Sequence, residues 1–142
     1  MTIQAILAQK GREVAIAAAG ERVSEAVARL GEKRIGALPV MEDGRILGIV
    51  SERDVIYCLK DYGAEVLAWE VSRVMTSPAI TAEPSTPVLS ALAMMTQRRI
   101  RHLPVVSGGE LVGIVSIGDL VKYRMDRIEQ EAEAMRAYIQ NA

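Results

Sequence analysis

The chain has 142 residues, with 17 Lys plus Arg against 18 Asp plus Glu and a net charge of −1, the length of one domain or of two small units sharing a core. Half the residues are hydrophobic and a quarter charged, with no Phe, one Trp and four Tyr, so the core is built from small aliphatic side chains and few rings exist to stack on bases. The balanced charge argues against a general nucleic-acid binder, the single Cys and single His exclude an internal disulfide and a Cys/His zinc site, and no apolar run approaches the roughly 20 residues of a membrane helix.

In chain order, Thr2 to Lys10 reads as a short helix, with Thr2 as its cap, Ile3, Ile6 and Leu7 on one face and Gly11 as its stop. A short apolar run, Val14 to Ala17, precedes a segment of helical period in which Val23, Ala26, Val27 and Leu30 share a face. A strand ending in Leu38-Pro39-Val40, a turn at Glu42-Asp43-Gly44 and a second strand at Ile46 to Val50 form a hairpin, and a helix starts at Ser51. The same order returns sixty-five residues later: Ala79 to Ala82, a helical face of Val88, Leu92 and Met95, then Leu103-Pro104-Val105, Ser107-Gly108-Gly109, Leu111 to Val115, and a helix from Ser116. Between residues 35–55 and 100–120, ten of 21 positions are identical without a gap.

Each copy is therefore β-α-β-β-α, and the fold class is α/β (α+β). A unit of this size exposes an apolar sheet face when alone, so the two are expected to pack face to face as one pseudo-symmetric body. The boundaries read as an N-terminal helix over 1–11, a first repeat over 12–65, a second over 66–125 and a helical extension over 126–142. In that extension Val121, Met125, Ile128, Ala132, Met135 and Ile139 follow heptad spacing. This seam either packs on its own domain or meets another chain.

The residues that carry chemistry sit in Gly-x-x-Ser-x-x-Asp, at Gly48, Ser51 and Asp54 and again at Gly113, Ser116 and Asp119. Free N–H groups and a hydroxyl at a helix start suit an anion, and an Asp one turn in can accept from a sugar diol. Ser-x-x-Asp alone resembles a capping box; a cap does not explain the glycine, and the duplication favours a binding site.

The doubled Leu-Pro-Val, Gly-Ile-Val-Ser and following Asp elements, in this order, resemble a tandem pair of CBS domains, a Bateman module, over about residues 12 to 125. The resemblance implies two βαββα units packed sheet to sheet with adenosyl ligands in two clefts between them. It further implies that Asp54 and Asp119 hold ribose hydroxyls and that Ser51 and Ser116 contact ribose or phosphate. The stretches Gly36-Ala37-Leu38-Pro39 and Arg101-His102-Leu103-Pro104, with Ile16 and Thr81 on the first strands, would frame adenine or phosphate. Each cleft draws a wall from the other repeat, so Arg101 and His102 are expected to serve chiefly the Asp54 cleft, beside Arg53. Their counterparts Gly36 and Ala37 would leave the Asp119 cleft without matching basic groups. The Asp54 cleft is thus expected to bind phosphate more tightly, although basic residues can be shared.

The resulting expectation is a non-catalytic sensor of an adenine nucleotide, AMP first, with ADP, ATP, NAD or S-adenosyl compounds as alternatives, acting as a homodimer on another protein that the sequence does not name. The competing reading is an oligomerisation or interaction module with vestigial clefts. No catalytic cofactor, metal, nucleic-acid or membrane partner is expected. A Ser–His–Asp site around His102 is disfavoured because neither Ser lies in a nucleophile elbow. Cys58 reads as a packing residue, and Trp69, near Tyr57 and Tyr62, as an anchor between the repeats. A lone Cys and no basic leader before the first apolar residues point to the cytoplasm.

Overall fold

In the computed structural model, which describes residues 1–141, helix α1 (Ile3–Lys10) precedes the first repeat. That repeat comprises β1 (Ala17–Ala18), α2 (Val23–Lys33), β2 (Ala37–Glu42), β3 (Arg45–Ser51) and α3 (Glu52–Tyr62). Two 3₁₀ segments, Gly63–Ala68 and Val71–Arg73, lead to the second repeat, made of α4 (Val88–Arg98), β4 (His102–Ser107), β5 (Glu110–Ser116) and α5 (Ile117–Gln140). The extension expected over 126–142 is the continuation of α5, and its last residue, Ala142, lies outside the described residues.

The hairpins are duplicated in register as well as in sequence. Ala37 pairs with Ser51 and Pro39 with Ile49, as His102 pairs with Ser116 and Pro104 with Ile114. The ladder slips once in each, between Val40 and Met41 and between Val105 and Val106. Both turns need positive φ at two successive residues, supplied by Asp43 (52°) with Gly44 (76°) and by Gly108 (59°) with Gly109 (82°).

The first strands are shorter than the apolar runs suggest. In repeat one only Ala17 and Ala18 pair, in parallel with Val40 and Met41. The carbonyl of Ile16 is taken instead by Arg29 Nη1 at 2.7 Å, an arginine also paired with Glu21 at 2.8 Å. In repeat two the run shrinks to one parallel bridge between Ala82 and Val105. Pro78 and Pro84 bracket it, and a residue without an N–H does not extend a ladder.

Each repeat has its own apolar cluster, and each cluster is completed by a segment from outside the repeat. The first gathers Val23, Ala26, Leu38, Val40 and Val50 with Val66, Val71 and Val74. Val66, Val71 and Val74, at the start of the segment assigned to the second repeat, therefore pack on the first. The second gathers Val88, Ala91, Met95, Leu103, Val105, Val115 and Leu120 with Ile3, Ile6 and Leu7 of α1. The helix that begins the chain thus covers the repeat that ends it. β3 and β5 lie against one another, and this sheet contact brings the two units together. Cys58 is a free thiol, half-buried against the first cluster. Trp69 packs on the same cluster, its ring 5.0 Å from that of Tyr62 and under the Arg73 guanidinium at 3.7 Å.

The two motif glycines mark where these covering segments cross the sheets. A Cβ on Gly48 would lie 2.4 Å from the Thr76 carbonyl oxygen, and one on Gly113 would lie 2.6 Å from Leu7 Cδ2. The glycine of Gly-x-x-Ser-x-x-Asp therefore has a packing reason, and the group that approaches its backbone is the chain itself. The obstacle at Gly48 is backbone, itself paired with Ile49 in both directions, whereas the one at Gly113 is the end of a flexible side chain. Gly48→Ala is expected to destabilise by about 2 to 3 kcal/mol and Gly113→Ala by about 1 kcal/mol. Urea unfolding checks the order, and Leu7→Ala should relieve the second change without affecting the first.

Candidate functional site

Both Ser-x-x-Asp elements close as capping boxes. Asp54 N–H donates to Ser51 Oγ at 3.2 Å while Ser51 N–H donates to Asp54 Oδ2 at 2.8 Å. The equivalent distances at Ser116 and Asp119 are 3.1 and 2.9 Å. The helix starts are also tied across the repeat, Glu52 N–H to the Gly36 carbonyl at 3.0 Å and Ile117 N–H to the Arg101 carbonyl at 2.8 Å. Capping fixes each carboxylate at a cleft rim but uses mainly one oxygen, so a cap and a ligand contact are compatible on the same residue.

The two carboxylates differ in their second partner. Asp54 Oδ1 accepts from the Thr76 hydroxyl at 3.0 Å. Asp119 Oδ2 accepts from Lys10 Nζ at 2.7 Å, and the same ammonium donates to the Ile114 carbonyl at 2.8 Å. Burial pushes the Asp119 carboxyl up, but hydrogen bonding from Lys10 and from the Ser116 N–H overrides it and holds the group below its ordinary value. Asp119 is therefore ionised at neutral pH and already engaged by a cation.

The clefts differ in size and lining. The one at Asp119 has a volume of about 630 Å³ and is lined by Lys10, Lys33, Arg34, Gly36, Ala37, His102 and Ser116, with Glu13 and Ile114 among the remainder. The one at Asp54 has about 170 Å³ and is lined by Ser51, Arg53, Thr76, Arg101 and His102, with Gly36, Ala37 and the apolar Ile49, Ile80 and Ile100. Small-molecule sites span about 300 to 1,000 Å³, so only the Asp119 cleft has ligand dimensions as it stands.

His102, Gly36 and Ala37 face both clefts. A Cβ at Gly36 would sit 2.9 Å from His102 Cε1, so the absence of a side chain there is what lets the imidazole lie between the two sites. Desolvation pushes the His102 pKa down, against the opposing attraction of Glu52 and Asp119.

The structure brings Ser51, Arg53, Asp54, Arg101 and His102 together at one cleft and Ser116, Asp119 and His102 at the other. It does not bring in Leu38, Pro39, Leu103 and Pro104, whose side chains are buried. Ile16 is 44% exposed and Thr81 is half-buried, and neither is among the residues lining the two clefts. At the positions matching Arg101 and His102 the Asp119 cleft has only Gly36 and Ala37, and its basic groups are instead Lys10, Lys33 and Arg34, from the ends of α1 and α2. Arg53 donates to the Arg99 carbonyl at 3.0 Å, which ties it to the rim of its cleft.

Arg34 and its repeat counterpart Arg99 end α2 and α4 in the left-handed region, with φ of 53° and 54°. Glycine is the usual occupant of such a position because a Cβ is disfavoured there. Sequence alone hid both this strain and Lys10, since neither lies in the repeated motifs; a Lys in the last turn before Gly11 was the one visible signal.

A comparison with protein families resolves what this paired arrangement is. The profile described as the CBS domain matches twice, over residues 11–61 and 71–126. The chain belongs to the CBS domain family. Among relatives, it is 35% identical over 125 residues to the mitochondrial CBS domain-containing protein CBSX3 of Arabidopsis thaliana, covering 84% of this chain and 61% of that protein. It is 32% identical to the CBS domain-containing protein YhcV of Bacillus subtilis, over 80% of each. It thus spans about three fifths of the plant protein's length and four fifths of the bacterial one. Among solved structures, the CBS-domain containing protein ATU1752 from Agrobacterium tumefaciens superposes with a TM-score of 0.84 at 36% identity, over 87% of this chain and 99% of that one. CBSX2 in complex with AMP gives 0.74 at 25%, over 88% and 96%. The CBS domain pair of MJ0100, in complex with 5'-methylthioadenosine and S-adenosyl-L-methionine, gives 0.77 at 25%, over 89% and 98%. Among the described residues no helix is long and apolar enough to cross a membrane.

The half-buried imidazole at the junction of the CBS repeats has a consequence for stability. Below its ordinary value of 6.5, the unfolded chain takes up a proton that the folded chain resists. The contribution of His102 is therefore fully present above about pH 6.5 and is lost as pH falls further towards the depressed folded value. The urea midpoint is expected to drop between pH 7.5 and 5.5, and His102→Gln should flatten that dependence.

Proposed function

We propose that this CBS pair is a non-catalytic sensor of a phosphate-bearing adenine nucleotide, with AMP as the first candidate and the Asp119 cleft as the principal site. The observation that carries this reading is the convergence of Lys10, Lys33, Arg34 and His102 on a cleft of about 630 Å³ that also presents an ionised Asp and a capped helix start. Three permanent cations against the two carboxylates Glu13 and Asp119 leave the cleft with an excess of positive charge, which favours an anionic ligand, and the sulfonium of an S-adenosyl compound would meet the same excess unfavourably. Complexes of structural relatives with AMP, and with 5'-methylthioadenosine and S-adenosyl-L-methionine, support an adenosyl ligand of this class.

In the bound state the ribose diol takes the Asp119 carboxylate and Lys10 turns to the phosphate, so the ligand replaces one ion pair by another. The Asp54 cleft, at about 170 Å³, takes ligand more weakly unless the repeats move apart. Regulation follows when the ligand favours one arrangement of the two repeats over another. The controlled activity then belongs to another protein in the cytoplasm.

AMP at a hundredfold excess over its dissociation constant is expected to stabilise the protein by about 2.7 kcal/mol in a thermal-shift experiment. No stabilisation by AMP, ADP, ATP, NAD or 5'-methylthioadenosine would overturn the proposal. Asp119→Ala and Asp54→Ala remove the same cap contact, so they should cost similar stability, about 1 kcal/mol each. By calorimetry the first should weaken AMP binding at least tenfold more than the second, and equal losses would remove the assigned asymmetry. Lys10→Met should weaken AMP binding about tenfold while leaving adenosine nearly unaffected.

Arg34 gives a second test of the same cleft. Arg34→Gly relieves a left-handed backbone position and is expected to raise stability by up to about 1 kcal/mol while lowering AMP affinity. Stability and affinity that fall together would show that Arg34 is structural rather than a ligand contact.

A further inference from the structure

Helix α5 runs for 24 residues, Ile117–Gln140, and Leu120 is its single buried residue. Tyr123, Arg124 and Arg127 are half-buried, and every residue from Ile128 to Asn141 is exposed. The heptad seam therefore does not pack on its own domain. Val121 is 44% exposed, Met125 58%, Ile128 50%, Met135 59% and Ile139 65%, and Ala132 lies in line with them. A helix that projects into water with an apolar stripe is marginal by itself, because most helical stability comes from burying such a stripe.

We propose that this seam is the interface of a parallel, in-register two-stranded coiled coil between two copies of the chain. Met125, Ala132 and Ile139 occupy the a positions and Val121, Ile128 and Met135 the d positions, six layers over about 28 Å of helix. The charges flanking the seam choose the orientation. In a parallel pair each g residue faces the e residue five places on in the second copy. Here that juxtaposes Arg124 with Glu129 and Glu131 with Arg136, each pair made twice by symmetry.

A fully overlapping antiparallel pair would instead set Glu129 against Glu129, Glu131 against Glu131 and Lys122 against Arg136. A half-overlapping antiparallel pair matches Lys122 with Glu129 and Arg124 with Glu131, but it layers only Val121, Met125, Ile128 and Ala132 and leaves Met135 and Ile139 in water. The parallel register is the arrangement that satisfies both the charges and all six layers.

This interface is independent of the nucleotide reading and is measured without ligand. Sedimentation equilibrium of the full chain is expected to give twice the 15.4 kDa chain mass, and a monomer at hundred-micromolar concentration would overturn the proposal, including the case in which the seam takes a helix from another protein. Ile128→Asp places a charge in a central layer at a position already half exposed in the single chain, and it should raise the dimer dissociation constant at least about a hundredfold; an unchanged constant overturns the seam as the interface. Two further variants decide the orientation. Ala132→Cys should form an interchain disulfide on mild oxidation, with the half-buried Cys58 of the unaltered chain as the control; failure to cross-link overturns the parallel register. Arg124→Glu should weaken the dimer about tenfold, and adding Glu129→Arg should restore it; restoration by Glu131→Arg instead would establish the antiparallel alternative.

Discussion

The exchange of covering segments between the two repeats is the constraint on which the rest depends. A βαββα unit of about fifty residues has too little interior to hide both faces of its sheet. Here α1 closes the second repeat and residues 66–74 close the first. Each covering segment needs a strand with no side chain at the crossing, which is why Gly48 and Gly113 stand where they do. Because the covers are exchanged, neither repeat is complete without chain that precedes or follows the other. The pair is one folding unit despite its two cores.

The same exchange accounts for the inequality of the clefts. The covering segments end beside the capped carboxylates, and their last residues are not equivalent. Thr76 brings a hydroxyl to Asp54, and Lys10 brings an ammonium to Asp119. The repeat makes the two sites alike; the covers make them differ. His102 stands between them because Gly36 yields the space, so a change of charge in one cleft is felt by a group that also faces the other.

Much of this was legible in the sequence because the duplication repeats each weak signal. Hairpin turns, the starts of α3 and α5, the helical faces and the order of elements follow from residues whose local chemistry decides them, such as Asp43-Gly44 and Ser51 with Asp54. Long-range events were not legible. Nothing in Ile16 announces that Arg29 takes its carbonyl, and nothing in Lys10 announces a carboxylate more than a hundred residues away. The glycine of the repeated motif, which a cap does not explain, makes room for Leu7 and for the Thr76 carbonyl. The basic groups of the larger cleft come from helix ends outside the motif, where the aligned positions of the two repeats give no sign of them. The seam is visible as a heptad, while its exposure follows from how far α5 runs past the body of the second repeat.

Helix α5 joins two regions that the chain otherwise keeps apart. Its first turn holds Asp119 in the larger cleft, and its remaining turns carry the exposed seam as one uninterrupted rod of about 36 Å. A rigid rod converts angle into distance: a tilt of about 5° at the capped end displaces the far end by about 3 Å. That sideways shift is about a third of the roughly 8 to 10 Å that separates the axes of packed helices, enough to tighten or part a seam at its far end. The capping box at Ser116 is therefore the fulcrum of the rod: an angle set beside the larger cleft is read out as a distance at the other end of α5.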